Sequence, residues 1–508
     1  MTVATALAVG LTGVTGTIVE VEADVGPGLP GMYLGGLGDT AVAEARQRVR
    51  TAAVNSALSW PRSKIVVSLS PAHLRKHGTG FDLAIACAIL AAAAPSGNAQ
   101  QRLLSSVLIG ELGLDGSIKG VQGVLPAVLV AREAGAARVI VSPSNAAEAA
   151  LVDGIAVCAA ASLSQLWQWV LSGAGIAPVA PPSPAAEAAE VDLREVIGQD
   201  AARFALEVAA AGAHHLFLQG SPGTGKSMLA RRLPTILPPL EKWQQLEATA
   251  VHSVAGTLAD GASLLSQPPF VAPHHSATTA ALIGGGAIPK PGAISLAHHG
   301  VLFLDEVSLM KPAVLDALRE PLESGVVTHM RAHHRVAFGC RTQLVMAANP
   351  CRCQAAWPQE CVCSAPERAR HQRALSGPLR DRIDIAVQLT PASASLSAGP
   401  VEDSATVRER VAQARSRAAW RWQRCGVEPG SGAANALVAR SLLRRESALD
   451  EEALALIEYK LRNGEITQRG VDKILALAWT LADLAGSDHF DFDQVQTALD
   501  LHDQPDAA

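Results

Sequence analysis

The sequence has little of what marks membrane, secreted or low-complexity chains. No charge precedes Glu20, so the opening lacks a basic leader region, and its Thr- and Gly-rich alternation reads as a strand instead of an apolar signal segment. The longest apolar run, Ile85 to Pro95, is about half of the roughly 20 residues that a membrane span requires. Cysteine is scarce, 8 in 508 residues, and four of them crowd between Cys351 and Cys363, which points to metal or reduced thiols and away from a disulfide framework. The expectation is a cytoplasmic protein with no membrane association. Gly (43) and Pro (30) are too few for a low-complexity chain, and no fixed-period repeat is visible. With 49% apolar and 18% charged residues the chain can bury a sizeable core, and its length suggests about three domains. The net charge of −5 carries no basic excess, so any binding of nucleic acid needs a local patch.

Composition shifts divide the chain. Residues 1–172 alternate β-rich runs (Thr17 to Ala23, Lys64 to Leu69, Val107 to Leu112, Arg138 to Ser142) with Ala-rich helical stretches, an α/β pattern. Residues 173–190, with Pro178, Pro181, Pro182 and Pro184, read as a linker. Residues 191–390 place a helix (Ala201 to Ala211) before the strand His215 to Gln219, with further buried strands at Val301 to Leu304 and Thr342 to Ala348, so a parallel sheet is expected. A polar connector at 391–404 leads into 405–508, where the apolar spacing is helical throughout.

The strongest local signal is Gly220-Ser221-Pro222-Gly223-Thr224-Gly225-Lys226-Ser227, the G-x-x-x-x-G-K-[ST] pattern between a strand and a helix. Its glycines let backbone N–H groups turn toward a β-phosphate, Lys226 reaches the β- and γ-phosphates, and Ser227 can hold Mg²⁺. About 80 residues on, the run Val301-Leu302-Phe303-Leu304 ends in Asp305 and Glu306, where a metal partner and a water-activating base are needed. Together the two motifs predict ATP hydrolysis.

At this point the chain resembles the magnesium-chelatase-like AAA+ ATPases, in their competence-protein ComM/YifB branch. The residues that carry the likeness are Gly26 to Gly31, Ala272-Pro273-His274-His275, Pro291 to His298, Ala348-Asn349-Pro350-Cys351 and Ser376 to Asp384. The resemblance implies a Lon-protease-like amino-terminal domain with the fold of ribosomal protein S5 domain 2, an AAA+ core and a small helical lid. It implies that Asn349 is sensor 1, that Arg382 is the finger that reaches a neighbour's ATP, that Arg469 is sensor 2, and that the chain forms a homo-hexamer. On the residues alone Asn349 could be a turn residue before Pro350, and Arg382 could pair with Asp381 or Asp384. Where the family has Leu, this chain has Arg380.

Two loops suit a polyanion. Gly284 to Lys290 resembles the helix-2 insert that projects into the ring pore, and Met330 to Arg335 falls where the family has a second hairpin. From Arg331 to Asp384 there are nine Arg and no Lys against four acids, a local excess of +5 that would contact phosphates independently of sequence. The alternative is that several of these arginines pair within the protein. Cys351, Cys353, Cys361 and Cys363 could surround Zn²⁺ in a structural site, stay reduced, or pair by oxidation. In the Lon-like domain the serine place of a peptidase dyad holds Phe81 or Asp82 and the lysine place holds Leu125, so proteolysis is not expected. The expected function is an ATP-dependent hexameric motor on single-stranded or branched DNA, of the kind used in helicase-driven branch migration, recombination or transformation. The alternative is a chelatase-type ATPase that remodels a protein partner.

Overall fold

The computed structural model describes residues 3–36, 40–72, 76, 78–181, 191–258, 263–331, 334–353, 355, 360–373, 377–390, 401–428 and 433–503. Alternating small residues set its first layer. In β1 (Val3–Thr12) Ala4, Ala6 and Ala8 are buried on one face, and in β2 (Thr15–Gly26) Val19, Val21 and Ala23 are buried between the exposed Glu20 and Glu22. The pair runs antiparallel from Val3↔Asp24 to Thr12↔Thr15. The domain continues through β3 (Gly31–Gly35), α1 (Thr40–Asn55), β4 (Lys64–Ser70), α2 (Asp82–Ala93), α3 (Gly97–Leu104), β5 (Ser106–Leu108), β6 (Glu111–Leu112), β7 (Ile118–Lys119), α4 (Val124–Glu133), β8 (Arg138–Val141), α5 (Ala146–Ala149), β9 (Ala156–Ala159) and α6 (Leu163–Ser172). Its sheet has the order β3-β4-β2-β1-β5-β8-β9. Helix α2, apolar all round, lies in the middle of the domain with Leu83 to Ala92 buried.

The expected strand Val107 to Leu112 is broken in two. Its first part pairs with β8, a pairing that Ile109 N–H extends to Ile140 O (2.9 Å); beyond Gly110, where a Cβ would meet Ile118 and Leu83 at 2.9 Å each, β6 pairs with β7 instead. The expected linker keeps to this domain as far as Val179, whose N–H donates to Val157 O (2.7 Å); its residues 182–190 lie outside the described ones.

The second domain is built by α7 (Asp200–Gly212), β10 (Leu216–Gly220), α8 (Lys226–Ile236), α9 (Lys242–Ala255), β11 (Phe270–Val271), α10 (Thr279–Ile283), β12 (Gly284–Gly285), β13 (Lys290–Pro291), α11 (Ala293–Leu296), β14 (Val301–Leu304), α12 (Pro312–Asp316), α13 (Arg319–Ser324), β15 (Val326–Arg331), β16 (His334–Gly339), β17 (Gln343–Ala348), α14 (Ala365–Arg373), α15 (Gly377–Arg380) and β18 (Ile385–Leu389). Its sheet, β11-β14-β17-β10-β18, is parallel at every neighbouring pair. Every residue of β14 and β17 is buried, as expected for strands covered on both faces. The register Gln219↔Ala348 and Leu304↔Met346 brings the ends of β10, β17 and β14 to one edge. Residues 391–400 of the expected connector lie outside the described ones.

Helices α16 (Ser404–Arg424), α17 (Arg440–Glu446), α18 (Glu451–Arg462), α19 (Gln468–Ala485) and α20 (Phe492–His502) form the third part. Its inner Trp422 is fully buried and donates to Asn435 Oδ1 (2.8 Å), and Asn435 donates in turn to Thr480 Oγ1 (3.1 Å) and Asp483 Oδ2 (2.9 Å). His214, at the end of α7, meets the same Thr480 hydroxyl at 2.8 Å, and Arg421 pairs with Asp483 over the Trp479 ring. Directional buried contacts of this kind fix one relative position of the helices against the sheet domain.

Candidate nucleotide-binding site

The loop between β10 and α8 takes its shape from glycine. A Cβ on Gly220 would sit 2.7 Å from Thr224 Oγ1 and 2.9 Å from Leu389 O, and Gly223 and Gly225 have φ of +78° and +92°. Lys226 opens α8 and is buried, with Nζ donating to Gly220 O (2.7 Å), Ser221 O (2.8 Å) and Asn349 Oδ1 (2.9 Å). Burial lowers its pKa, against the opposing pull of Asp305 and Glu306. Thr224 Oγ1 donates back to Ser221 O (2.8 Å) and closes the loop.

Ser227 Oγ donates to Asp305 Oδ2 at 2.7 Å, so the hydroxyl and carboxylate suited to Mg²⁺ already face each other. Asp305 Oδ1 accepts the N–H of Glu306 (2.9 Å). Glu306 itself has φ +48° and ψ +42°, a left-handed conformation that costs a non-glycine residue roughly 1–3 kcal/mol. Its Oε2 lies 3.4 Å from His275 Nδ1. The sequence reading quoted His275 within a motif and gave it no role; its only signal was the loop it shares with β11, the strand beside β14.

Asn349 directly follows β17, and its own carbonyl accepts from His371 Nε2 of α14 (3.1 Å). Thus Lys226, Ser227, Asp305, Glu306 and Asn349 stand together. Arg382 stands elsewhere. It precedes β18 at the end opposite Leu389↔Gly220, where its Nη2 donates to Glu323 Oε2 (2.6 Å) while its Nε is buried without an acceptor among the described residues. Neither Asp381 nor Asp384 takes that guanidinium group. Asp384 instead accepts His215 N–H (2.9 Å) and faces His214 and Lys473 at 3.7 Å. Burial alone would raise its pKa, but the nearby charges of His214, Lys473 and His215 hold it well below the usual carboxylate range. Arg469 is exposed in the first turn of α19, one turn before Lys473, whose ammonium donates to Ile383 O at the Arg382 end of β18. The two arginines therefore lie toward the edge away from this chain's own phosphate loop.

The sequence profile described as "Magnesium chelatase, subunit ChlI" matches residues 192–396, "Subunit ChlI of Mg-chelatase" matches 21–145, and "Magnesium chelatase, subunit ChlI C-terminal" matches 401–502. An uncharacterized protein of Mycobacterium tuberculosis (strain ATCC 25618 / H37Rv) is 46% identical over 501 residues, 98% of each chain. Competence protein ComM of Haemophilus influenzae is 38% identical over 483 residues, covering 93% of this chain and 92% of its own. The chain belongs to the magnesium-chelatase-like AAA+ ATPases of the ComM/YifB type. The uncharacterized protein YifB of Escherichia coli is similar in the same way, 36% identical over 490 residues, covering 96% of this chain and 94% of its own. Membership implies ATP as ligand, Mg²⁺ as its companion, ATP hydrolysis as reaction and oligomeric assembly. Among the described residues no helix is long and apolar enough to cross a membrane.

In this ATPase β12–β13 and β15–β16 form the two expected hairpins, and His329 Nε2 meets Ile283 O at 3.2 Å, so they lie side by side. Ile288 (55% exposed) and Met330 (69%) stand at their outer ends; Ala332 and His333 are outside the described residues. The basic excess is partly absorbed: Arg382 pairs with Glu323 and Arg368 donates to Cys363 O (3.2 Å), whereas Arg335, Arg341 and Arg352 are exposed. Cys351, Cys353, Cys361 and Cys363 come together. In the amino-terminal domain Asp82 is buried in a two-pronged pair with Arg48 (2.9 and 3.0 Å). Burial raises its pKa against the pull of Arg48.

Proposed function

We propose that the chain is a hexameric ATPase that moves on single-stranded or branched DNA without sequence preference, with domains at 1–172, 191–390 and 405–508. The observation that carries the catalytic part is the junction Lys226–Asn349 beside Ser227–Asp305: three strands deliver a cation, a polar sensor and a metal-holding pair to one point. The residues from Gly220 to Ser227 would hold the triphosphate, with Lys226 exchanging its carbonyl partners for phosphate oxygens. Ser227 and Asp305 fit Mg²⁺, an oxygen-seeking ion that supplies charge neutralisation when bound. Glu306 would turn from His275 to accept the proton of the attacking water, and Asn349 would orient that water.

Arg382 and Arg469 would serve the ATP of the adjoining subunit, which is why a ring is needed. Arg382 has only the half-exposed Glu323 as its acidic partner, which it can exchange for phosphate oxygens, and the planar guanidinium fork suits the charge of a transferring phosphoryl group. DNA contact rests on the paired hairpins, with Arg335 an exposed cation on the second. The setting proposed is the cytoplasm, whose reducing state keeps thiols unpaired.

The test is ATP turnover by the purified chain with no DNA, single strands or a four-way junction, across a salt series. Stimulation that fades as salt rises supports the proposal, because phosphate contacts release counterions. Turnover indifferent to every DNA moves the reading to remodelling of a protein partner.

A further inference from the structure

Four sulfurs meet where the sensor strand leaves the sheet. Cys351 follows Asn349 by two residues, and Cys363 precedes α14 by two. Cys351 and Cys353 Sγ are 2.9 Å apart, Cys353 and Cys361 3.6 Å, Cys361 and Cys351 3.4 Å, and all four lie within 4.8 Å of one another. A tetrahedral ion with Zn–S bonds of about 2.3 Å needs sulfurs at about 3.8 Å, close to this spacing. Apolar burial does not explain the convergence, since Cys353, Cys361 and Cys363 are only half-buried.

The second cluster of metal-binding residue types lacks the required lone pair. Glu247 Oε2 is met by His298 Nε2 (3.2 Å) and His299 Nε2 (2.7 Å), but His298 Nδ1 accepts the Arg341 N–H (3.1 Å). The His298 proton is therefore on Nε2 and points at the carboxylate, which completes that cluster without an ion.

We infer that Cys351, Cys353, Cys361 and Cys363 bind one Zn²⁺ as thiolates, and that the ion fixes the turn carrying Asn349 against α14. On binding, four S–H bonds break, four Zn–S bonds form and four protons leave to solvent; no electron is transferred. Arg368, with Nη1 3.2 Å from Cys363 O and 4.0 Å from Cys361 Sγ, offsets part of the double negative charge of a four-thiolate zinc centre. The hydrogen bond from His371 to Asn349 O ties α14 to the same turn from its other side. Metal binding stands on the sulfurs alone, whereas its effect on turnover rests on the role proposed for Asn349.

The experiment measures zinc in the purified full-length chain, then replaces it with Co²⁺ and records the absorption spectrum. One zinc per chain, and the thiolate-to-cobalt charge-transfer and intense d–d bands of tetrahedral cobalt, are expected. Cys361→Ser and Cys363→Ser should each weaken zinc binding, and lower kcat by roughly 10-fold while ATP affinity stays within about 2-fold. If these variants fail to fold, competition for zinc between the unaltered chain and a chromogenic chelator gives the same answer. A folded chain that holds no zinc and gives no thiolate–cobalt spectrum overturns the site. Zinc bound, with turnover unchanged on its removal, overturns the positioning role. Zinc bound by a chain without ATPase activity refutes the ATPase proposal and leaves the metal site standing.

Discussion

Replacing Asn349 by Ala separates water positioning from nucleotide binding. Asn349 is 9% exposed and its side chain spends its carbonyl on Lys226 Nζ at 2.9 Å. One hydrogen bond to a charged group contributes about 1.5–3 kcal/mol. Lys226 keeps Gly220 O and Ser221 O after the change, so its ammonium is not stranded and the cost to folding should fall at or below the lower end of that range. The turn also keeps its bond to His371, which uses the Asn349 backbone carbonyl. Catalysis should suffer more. A preorganised polar group aimed at the reacting centre is worth about 2.7–4 kcal/mol, so kcat should fall about 10²–10³-fold. ATP affinity should change by less than about 10-fold, because the loop amides and Lys226 remain. Steady-state turnover, with binding of a fluorescent ATP analogue and a thermal melt, reads all three. A kcat within about 3-fold of the unaltered chain would refute the role of Asn349, and loss of ATP binding would make it a binding group instead.

Lys226→Ala should abolish ATP binding, whereas Glu306→Gln should bind ATP and not turn it over; normal turnover in the second would remove Glu306 as base. Arg382→Ala should lose turnover with little change in melting temperature, since its partner Glu323 is 55% exposed and can hydrate. Mixing that variant with Lys226→Ala should restore part of the turnover, because some mixed interfaces join an intact loop to an intact arginine; no recovery would contradict action across subunits. Asp384→Asn should destabilise the fold by about 3–5 kcal/mol, as expected when a buried pair loses one member. The folded carboxyl titrates below its unfolded value of about 3.9, so its contribution is complete above that pH and is lost as pH falls toward the folded value. Melts of both proteins should therefore differ by a constant amount from about pH 5 to 7 and converge below about pH 4.

The chemistry-bearing strands were legible because each joins a continuous apolar run to a polar end. Val301 to Leu304 came out with the bounds read from the sequence, and the strand before the phosphate loop shifted by one residue. The loop's glycines sit where backbone conformation and close contacts demand them, so the motif and its geometry agree. What the sequence concealed depends on long-range packing. Nothing local shows that the run from Val107 to Leu112 changes partner midway, from β8 to β7, which is why one expected strand became two. The partner of Arg382 is 59 residues away at Glu323, whereas spacing along the chain pointed to its neighbours Asp381 and Asp384. Likewise the Lys226–Asn349 bond spans 123 residues and exists only because β17 lies beside β10. The basic excess was legible as a count, but which arginines stay open follows from their folded partners.

Strand displacement from a synthetic four-way junction tests the central claim most directly, with the unaltered chain and Glu306→Gln compared in ATP and in a non-hydrolysable analogue. Hydrolysis-driven movement predicts separated arms for the unaltered chain in ATP alone. A chain that hydrolyses ATP and binds the junction, yet leaves every arm paired, would contradict the account.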